Sequence, residues 1–168
     1  MKTGPRYHIK PRRRREGKTD YRKRLALIKS KTTRIVIRKS INNTTIQFVN
    51  YNEKGDNIIA AATSKELVKK YNWNYSTSTT PAAYLTGLLA GKRAKEQGIT
   101  KCILDIGRYV PVTGSKVFAG LKGIIDAGID CPHNDEKIPS EERITGQHLN
   151  NNIKNDLNTI KDKITGGK

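Results

Sequence analysis

Three segments between residues 34 and 63 are candidate β-strands, and the first of them alternates with the period of two that is typical of such strands. They are Arg34–Ser40, Thr44–Tyr51 and Asn57–Thr63. In the first segment Ile35 and Ile37 share one face, and Arg34, Val36 and Arg38 share the other. The short polar connections between the segments predict an antiparallel meander of three strands.

A helical period replaces this alternation after residue 63. Thr63 and Glu66 have the spacing of a capping box and predict a short helix that ends near residue 71. Thr80 followed by a proline predicts the start of a longer helix, Pro81–Gln97. The next predicted helix is Ser115–Ala127, with an apolar stripe made of Val117, Leu121, Ile124, Ile125 and Gly128.

Two shorter apolar runs, Lys101–Ile106 and Ile129–Cys131, predict buried strands. The resulting order βββ-α-α-β-α-β indicates an α/β domain with a mixed sheet and helices packed on it. After Pro132 the chain becomes polar, and a last helix around Leu149–Ile164 is expected to be marginal and to face solvent.

The charge of the chain is concentrated at its beginning. Residues 1–39 hold 16 Lys and Arg against two acids, whereas the remaining residues carry a net charge of only +4 out of +18. Pro5 and Pro11 favour an extended arm over residues 1–18, and Thr19 is a candidate cap for a helix Asp20–Lys29. We therefore divide the chain into a basic arm with a short helix (1–30), an α/β domain (31–133) and a polar C-terminal extension (134–168).

Such a cationic segment repels itself unless a polyanion neutralises it. A membrane-surface helix would need an apolar face, and residues 1–20 offer only Tyr7 and Ile9 beside the charges. The sequence has no secretory signal and no apolar run of membrane-spanning length. Two cysteines 29 residues apart, Cys102 and Cys131, favour a reducing compartment over a disulfide. Nucleic acid is therefore the expected partner, with a solvated basic tail as the alternative.

The stretch RRRREGKTDY, residues 12–21, is the most informative part of the arm. The planar forks of arginine fit phosphate oxygens, and tyrosine rings stack on unpaired bases of RNA. We expect RNA contacts from twelve residues of the arm: Arg6, Tyr7, Lys10, Arg12, Arg13, Arg14, Arg15, Lys18, Thr19, Tyr21, Arg22 and Arg24. The alternative is a disordered or nuclear-localisation-like basic tract.

Two further places offer cations to RNA. Arg34 and Arg38 are expected on the outward face of the first strand. The alternative is that their charges only protect a solvent-exposed edge strand from pairing with other chains. The loop that begins at Gly107 lies between a strand and a helix and could present Arg108, Tyr109 and Lys116 to phosphates. Its six residues between glycines do not match the spacing of a nucleotide-binding P-loop.

Catalytic and metal chemistry find little support in the sequence. Cys102, Cys131, His133 and His148 lack paired ligand spacing, and two acids among the apolar segments, Asp105 and Asp126, are too few for a two-metal nuclease. We expect no cofactor, no metal and no enzymatic activity.

Three motifs resemble one family: RRRREGKTDY, TPAAYLTGLLAGKRA at 80–94 and LDIGRYVPVTGSKVFAGLKGIIDAGIDCPH at 104–133. The chain is similar, over about residues 5–148, to the 5S-rRNA-binding ribosomal proteins of the large subunit numbered eighteen in the universal scheme. The resemblance is to the archaeal and eukaryotic version, and the short tail after His148 favours the archaeal type.

The resemblance implies a mixed five-stranded sheet with ribonuclease-H-like topology. It also implies a structural role on the cytoplasmic ribosome, where the protein would bind 5S rRNA and help attach it to the central protuberance. RNA contacts by the family's basic extension would correspond to Arg6–Arg24, and those by the loop before the last helix of the domain to Arg108–Lys116. Implied partners are 5S rRNA, the larger rRNA and neighbouring proteins of the protuberance.

A ribonuclease-H-like nuclease with a basic substrate arm is the alternative function. It would require clustered carboxylates on the central strands, which the sequence lacks. Metal-dependent RNA cleavage that is abolished by Asp105→Asn would favour this alternative.

Overall fold

A computed structural model describes residues 4–149 and 151–166 of the chain. Its four strands are β1 (Arg34–Lys39), β2 (Thr44–Asn50), β3 (Asn57–Thr63) and β4 (Ile103–Asp105). Its helices are α1 (Arg12–Arg15), α2 (Tyr21–Lys29), α3 (Ser64–Tyr71), α4 (Thr80–Glu96), α5 (Lys116–Asp126), α6 (Glu141–Thr145) and α7 (Asn151–Thr165), with a 3-10 turn at Asp135–Lys137. None of the helices in these described ranges is long and apolar enough to cross a membrane.

The predicted α/β fold with a mixed sheet is confirmed. The strand order is β3-β2-β1-β4; β1 to β3 form the predicted antiparallel meander, and β4 runs parallel to β1. Ile35 and Ile37 of β1 and Ile46 and Phe48 of β2 are completely buried on the face that α4 and α5 cover. The capping box at Thr63 also forms, as its spacing predicted.

The expected fifth strand does not form in this sheet. The segment Ile129–Cys131 makes a single parallel bridge, in which Asp130 pairs with Lys101. Asp130 N donates to Thr100 O at 2.9 Å, and Cys102 N donates to Asp130 O at 3.0 Å. Gly128, with a φ of +92°, ends α5 immediately before the segment, and Pro132 has no N–H with which to extend the ladder. The three residues between these two therefore form only the single bridge at Asp130.

Helices α4 and α5 approach each other closely because small residues line their contact. A Cβ added to Gly123 of α5 would collide with the carbonyl oxygen of Tyr84 and lie 2.7 Å from Leu88 N. A Cβ on Gly87 of α4 would collide in the same way with the carbonyl oxygen of Gly120. The interface therefore joins backbone to backbone, and it leaves no room for side chains at these positions.

The C-terminal helix does not face solvent, and this expectation was wrong. Helix α7 packs against α4 and buries Ile153, Leu157, Ile160 and Ile164 in the main core. These four residues recur at helical spacing and form one apolar stripe. The Asn, Lys and Asp residues between them make the segment polar on average. The expectation of a solvent-facing helix followed this average polarity and not the spacing of the apolar residues. The C-terminal segment thus contributes to the hydrophobic core of the domain.

A single helical turn, α1, interrupts the arm that was expected to be extended. Pro11 precedes the turn, where a missing N–H is harmless because the first N–H groups of a helix have no partner within it. Arg12 Nε donates to Glu16 Oε1 at 2.8 Å, one turn further on, which offsets part of the repulsion among the four arginines. The next helix, α2, is capped by Asp20 and not by Thr19 as expected, since the Asp20 carboxylate accepts from Arg22 N and Lys23 N.

Candidate nucleic-acid interface

The cationic side chains of the arm lie on the surface. Arg6, Lys10, Lys18 and all four arginines of α1 are exposed, and the ring of Tyr7 is 54% exposed. Arg14 and Arg15 have no ion-pair partner within the part of the chain that the structure describes. Their guanidinium groups are therefore available to phosphate oxygens.

The two acids of the arm are engaged locally. Glu16 pairs with Lys18 and with Arg12, both at 2.8 Å, and hydrogen bonds from these cations hold the pKa of Glu16 below its usual value. The pKa of Asp20 is also lowered, chiefly by the hydrogen bond from the Lys23 backbone. Both carboxylates therefore stay ionised at neutral pH and hold the arm in shape while the arginines point outward.

The arm and α2 lie beside the sheet face that is opposite to α4 and α5. Between them and the end of β4 is a cleft of about 500 Å³. Cationic and polar residues of the predicted set meet at this cleft: Arg13, Lys18, Thr19, Arg24 and Arg38. Arg13 Nε donates to Thr19 Oγ1 at 2.8 Å, which fixes the arm against the start of α2. Residues distant in sequence thus form one basic surface, which we call the arm–loop surface.

The loop after β4 joins this surface through Arg108. A Cβ placed on Gly17 would lie 3.8 Å from Arg108 Nη1, so the exposed Arg108 approaches the arm directly. Tyr109 is half-buried, donates from its hydroxyl to Lys39 O at 2.9 Å and lies under the Lys39 ammonium. The ring is thus partly covered, which limits base stacking. Lys116 is half-exposed at the first position of α5.

Arg34 is not on an exposed surface, contrary to expectation. It is only 2% exposed and pairs with Asp56 at 2.8 Å and with Asp105 at 3.1 Å. Alternation assigned it correctly to the face opposite Ile35, but that face is covered near Asp105 of β4, and only a buried ion pair makes an arginine acceptable there. Arg38 lies on the same face but is partly exposed at the cleft, and it donates to Asp105 O at 2.8 Å.

Two remaining residues of the expected set lie on α2. Tyr21 is 40% exposed at the start of this helix, and Arg22 is exposed beside it. Lys23 lines the cleft as well, although it was not in the predicted set. Its position between Arg22 and Arg24, both of the expected set, was a usable signal. Asp56 was also missed, and no local sequence signal marks its pairing with Arg24 and Arg34.

Comparisons with known proteins show what this sequence is similar to. The sequence model of a family described as "Ribosomal large subunit proteins 60S L5, and 50S L18" matches residues 5–99 and 92–134. Among curated relatives, "Large ribosomal subunit protein uL18" of Korarchaeum cryptofilum is 53% identical over 149 residues, which cover 89% of this chain and 76% of the relative.

Two further relatives with the same name extend this similarity. The protein of Aeropyrum pernix is 48% identical over 149 residues, with 89% of this chain and 70% of the relative covered. The protein of Methanococcoides burtonii is 46% identical over 169 residues, which cover 98% of this chain and 97% of the relative. The similarity therefore includes the arm, the loop after β4 and the C-terminal helix.

Proposed function

Since this chain belongs to the family of large-subunit ribosomal proteins that includes 60S L5 and 50S L18, we propose that it binds 5S rRNA and helps attach it to the central protuberance. Family membership makes the chain a structural constituent of the large ribosomal subunit in the cytoplasm, of archaeal type, and not an enzyme. The choice of 5S rRNA as the partner is the part that we propose.

The arm–loop surface is the observation that best supports this proposal. It gathers exposed cations from α1, α2 and the loop after β4 on one side of the domain. Charge neutralisation by Arg and Lys supplies much of the affinity of proteins for RNA, and fixed guanidinium forks add geometric selectivity. A folded cationic surface of this kind is suited to a structured RNA of defined shape.

We assign the expected RNA contacts to this surface. The proposed set keeps the twelve arm residues together with Arg38, Arg108, Tyr109 and Lys116. It omits Arg34, because the guanidinium group of Arg34 is already paired with the carboxylates of Asp56 and Asp105. The larger rRNA and neighbouring proteins of the protuberance are proposed as further partners. The proposal also includes the ribonuclease-H-like topology implied by the family, which the strand order β3-β2-β1-β4 supports.

The nuclease alternative is not favoured by the surroundings of Asp105. Its carboxylate accepts from Arg34 at 3.1 Å, from Arg38 at 3.3 Å and from Gly107 N at 2.8 Å. Asp126, the other candidate, accepts from Tyr84 at 2.8 Å and pairs with Lys122. Each carboxylate is thus held by groups of the protein, as expected of structural acids.

Competition binding tests the proposed partner. We expect the full chain to prefer labelled 5S rRNA over a size-matched structured RNA by at least about tenfold at 0.15 M salt, because shape adds to the general electrostatic attraction. The salt concentration must be held fixed, since non-specific binding falls steeply with salt. Equal competition by both RNAs would contradict the proposal, and it would leave the chain as a general RNA-binding protein.

A further inference from the structure

A chain of ion pairs connects α2 to the loop after β4 through the sheet. Arg24 Nη2 of α2 donates to both carboxylate oxygens of Asp56, at 2.9 and 2.8 Å. Arg34 then bridges Asp56, at 2.8 Å, to Asp105 of β4, at 3.1 Å. Asp105 finally accepts from Gly107 N at 2.8 Å, at the first turn of the loop. Alternating charges thus cross the sheet from one part of the arm–loop surface to the other.

Helix α2 has little else to hold it in place. None of its residues is buried, and only Arg24, Leu27 and Ile28 are half-buried. Its nine residues are too few for a stable isolated helix. The position of α2 on the domain therefore depends strongly on the ion pair that Arg24 makes with Asp56. This pair is better shielded from solvent than an ordinary surface pair. The reason is that Arg34, which binds the same carboxylate, is almost completely buried.

We infer that Asp56 is a positioning residue for RNA binding: it anchors α2, and with it the cations of the arm–loop surface, in the orientation that RNA requires. Asp56 lies in the connection between β2 and β3 and acts through Arg24, without contacting RNA itself. This inference rests on the proposed function, since it concerns how the same surface is held in place. The inference thus means that Asp56, although negatively charged, favours the binding of negatively charged RNA.

The sign of that effect separates positioning from simple electrostatics. Removal of an acid near an RNA-binding surface raises the local positive potential and ordinarily strengthens binding. Loss of the anchor has the opposite consequence, because α2 must then be ordered at the moment of binding. Positioning and electrostatics therefore predict opposite changes in the dissociation constant for a substitution that removes one negative charge.

The test compares Asp56→Asn with Glu53→Gln in the full chain. Glu53 is exposed in the same connection, three residues earlier, and both substitutions change the charge equally. We expect Asp56→Asn to weaken 5S rRNA binding by about tenfold. We expect Glu53→Gln to leave binding unchanged or to tighten it by up to about twofold. In free protein, amide hydrogens of Tyr21–Lys29 should exchange faster in the Asp56 variant alone.

An Arg24→Ala background shows whether Asp56 acts through Arg24. In that background Asp56→Asn should cause no further weakening, because the anchor is already absent. The inference is overturned if Asp56→Asn tightens binding as Glu53→Gln does, or if it weakens binding equally in both backgrounds. Failure of the wild-type chain to prefer 5S rRNA would refute the proposed function instead. The exchange measurement needs no RNA, and unchanged exchange in α2 would overturn the anchor by itself.

Discussion

Deletion of residues 1–24 is expected to weaken binding to 5S rRNA by about 4 kcal/mol, or roughly a thousandfold. The deletion removes 11 Lys and Arg against two acids and lowers the formal net charge from +18 to +9. The slope of log K against log salt should become shallower by at least about 4, since each neutralised phosphate contributes roughly 0.7–0.9. Titration of labelled 5S rRNA at several salt concentrations measures both quantities.

Paired charge variants separate the arm from general electrostatics. Arg14→Gln with Arg15→Gln removes two exposed cations from α1, and Lys154→Gln with Lys163→Gln removes two from α7. We expect the arm pair to lose about 2 kcal/mol of binding free energy for 5S rRNA and the α7 pair to lose less than about 0.5 kcal/mol. If both pairs weaken binding equally, net charge alone controls affinity and the arm has no special role.

The substitution Gly123→Ala should destabilise the fold by at least about 3 kcal/mol. Its new methyl group would collide with the backbone of α4 at Tyr84 and Leu88, and neither helix can move away without opening the core. The gain in helix propensity, about 1 kcal/mol, does not offset such a collision. Denaturant unfolding, followed by circular dichroism, measures the loss in the free energy of unfolding.

Gly120→Ala on the same helix is the matched control. A Cβ there meets first the flexible Cδ1 end of Ile46, at 3.0 Å, and not backbone. Because the end of a side chain can shift, we expect the free energy of unfolding to change by less than about 1 kcal/mol. Similar losses for both variants would mean that the close approach of α4 and α5 is not what makes Gly123 necessary.

Local patterns in the sequence predicted the parts of the fold that local physics controls. Alternation located β1, the turn signals before them located β2 and β3, and the capping box at Thr63 located the start of α3. The Thr80-Pro81 signal predicted the start of α4 to within one residue, although the cap is Thr79 and not Thr80 as expected. In each case the residues that decide the structure are neighbours in sequence, so their spacing is informative.

The errors arose where distant residues or a segment average decided the outcome. Arg34 belongs to the polar face of β1, but only the fold brings Asp56 and Asp105 to it. The stripe at Ile153, Leu157 and the later isoleucines of α7 was outweighed by its polar neighbours, although its spacing matched a helix. A periodicity count over residues 149–164 would have found this stripe, whereas no such count reveals the partners of Arg34.

The candidate interface shows the same division between local and distant information. Charge density identified the arm as the main cationic segment, and this needed no structure. The approach of Arg108 to Gly17, and the meeting of Arg13 and Arg38 at one cleft, depend on the folded topology. The sequence therefore predicted which residues carry the charge, and the structure adds that they form one surface.

Photo-crosslinking from chosen positions tests most directly whether RNA binds at the arm–loop surface. Tyr7 and Tyr21 of the arm are each replaced by a photoreactive phenylalanine derivative, as are the exposed Val68 of α3 and Asn158 of α7. After irradiation with 5S rRNA at 0.15 M salt, the two arm positions should give strong crosslinks and the two control positions none above background. Crosslinks from Val68 or Asn158 that equal those from the arm would contradict the assignment of the RNA-binding face.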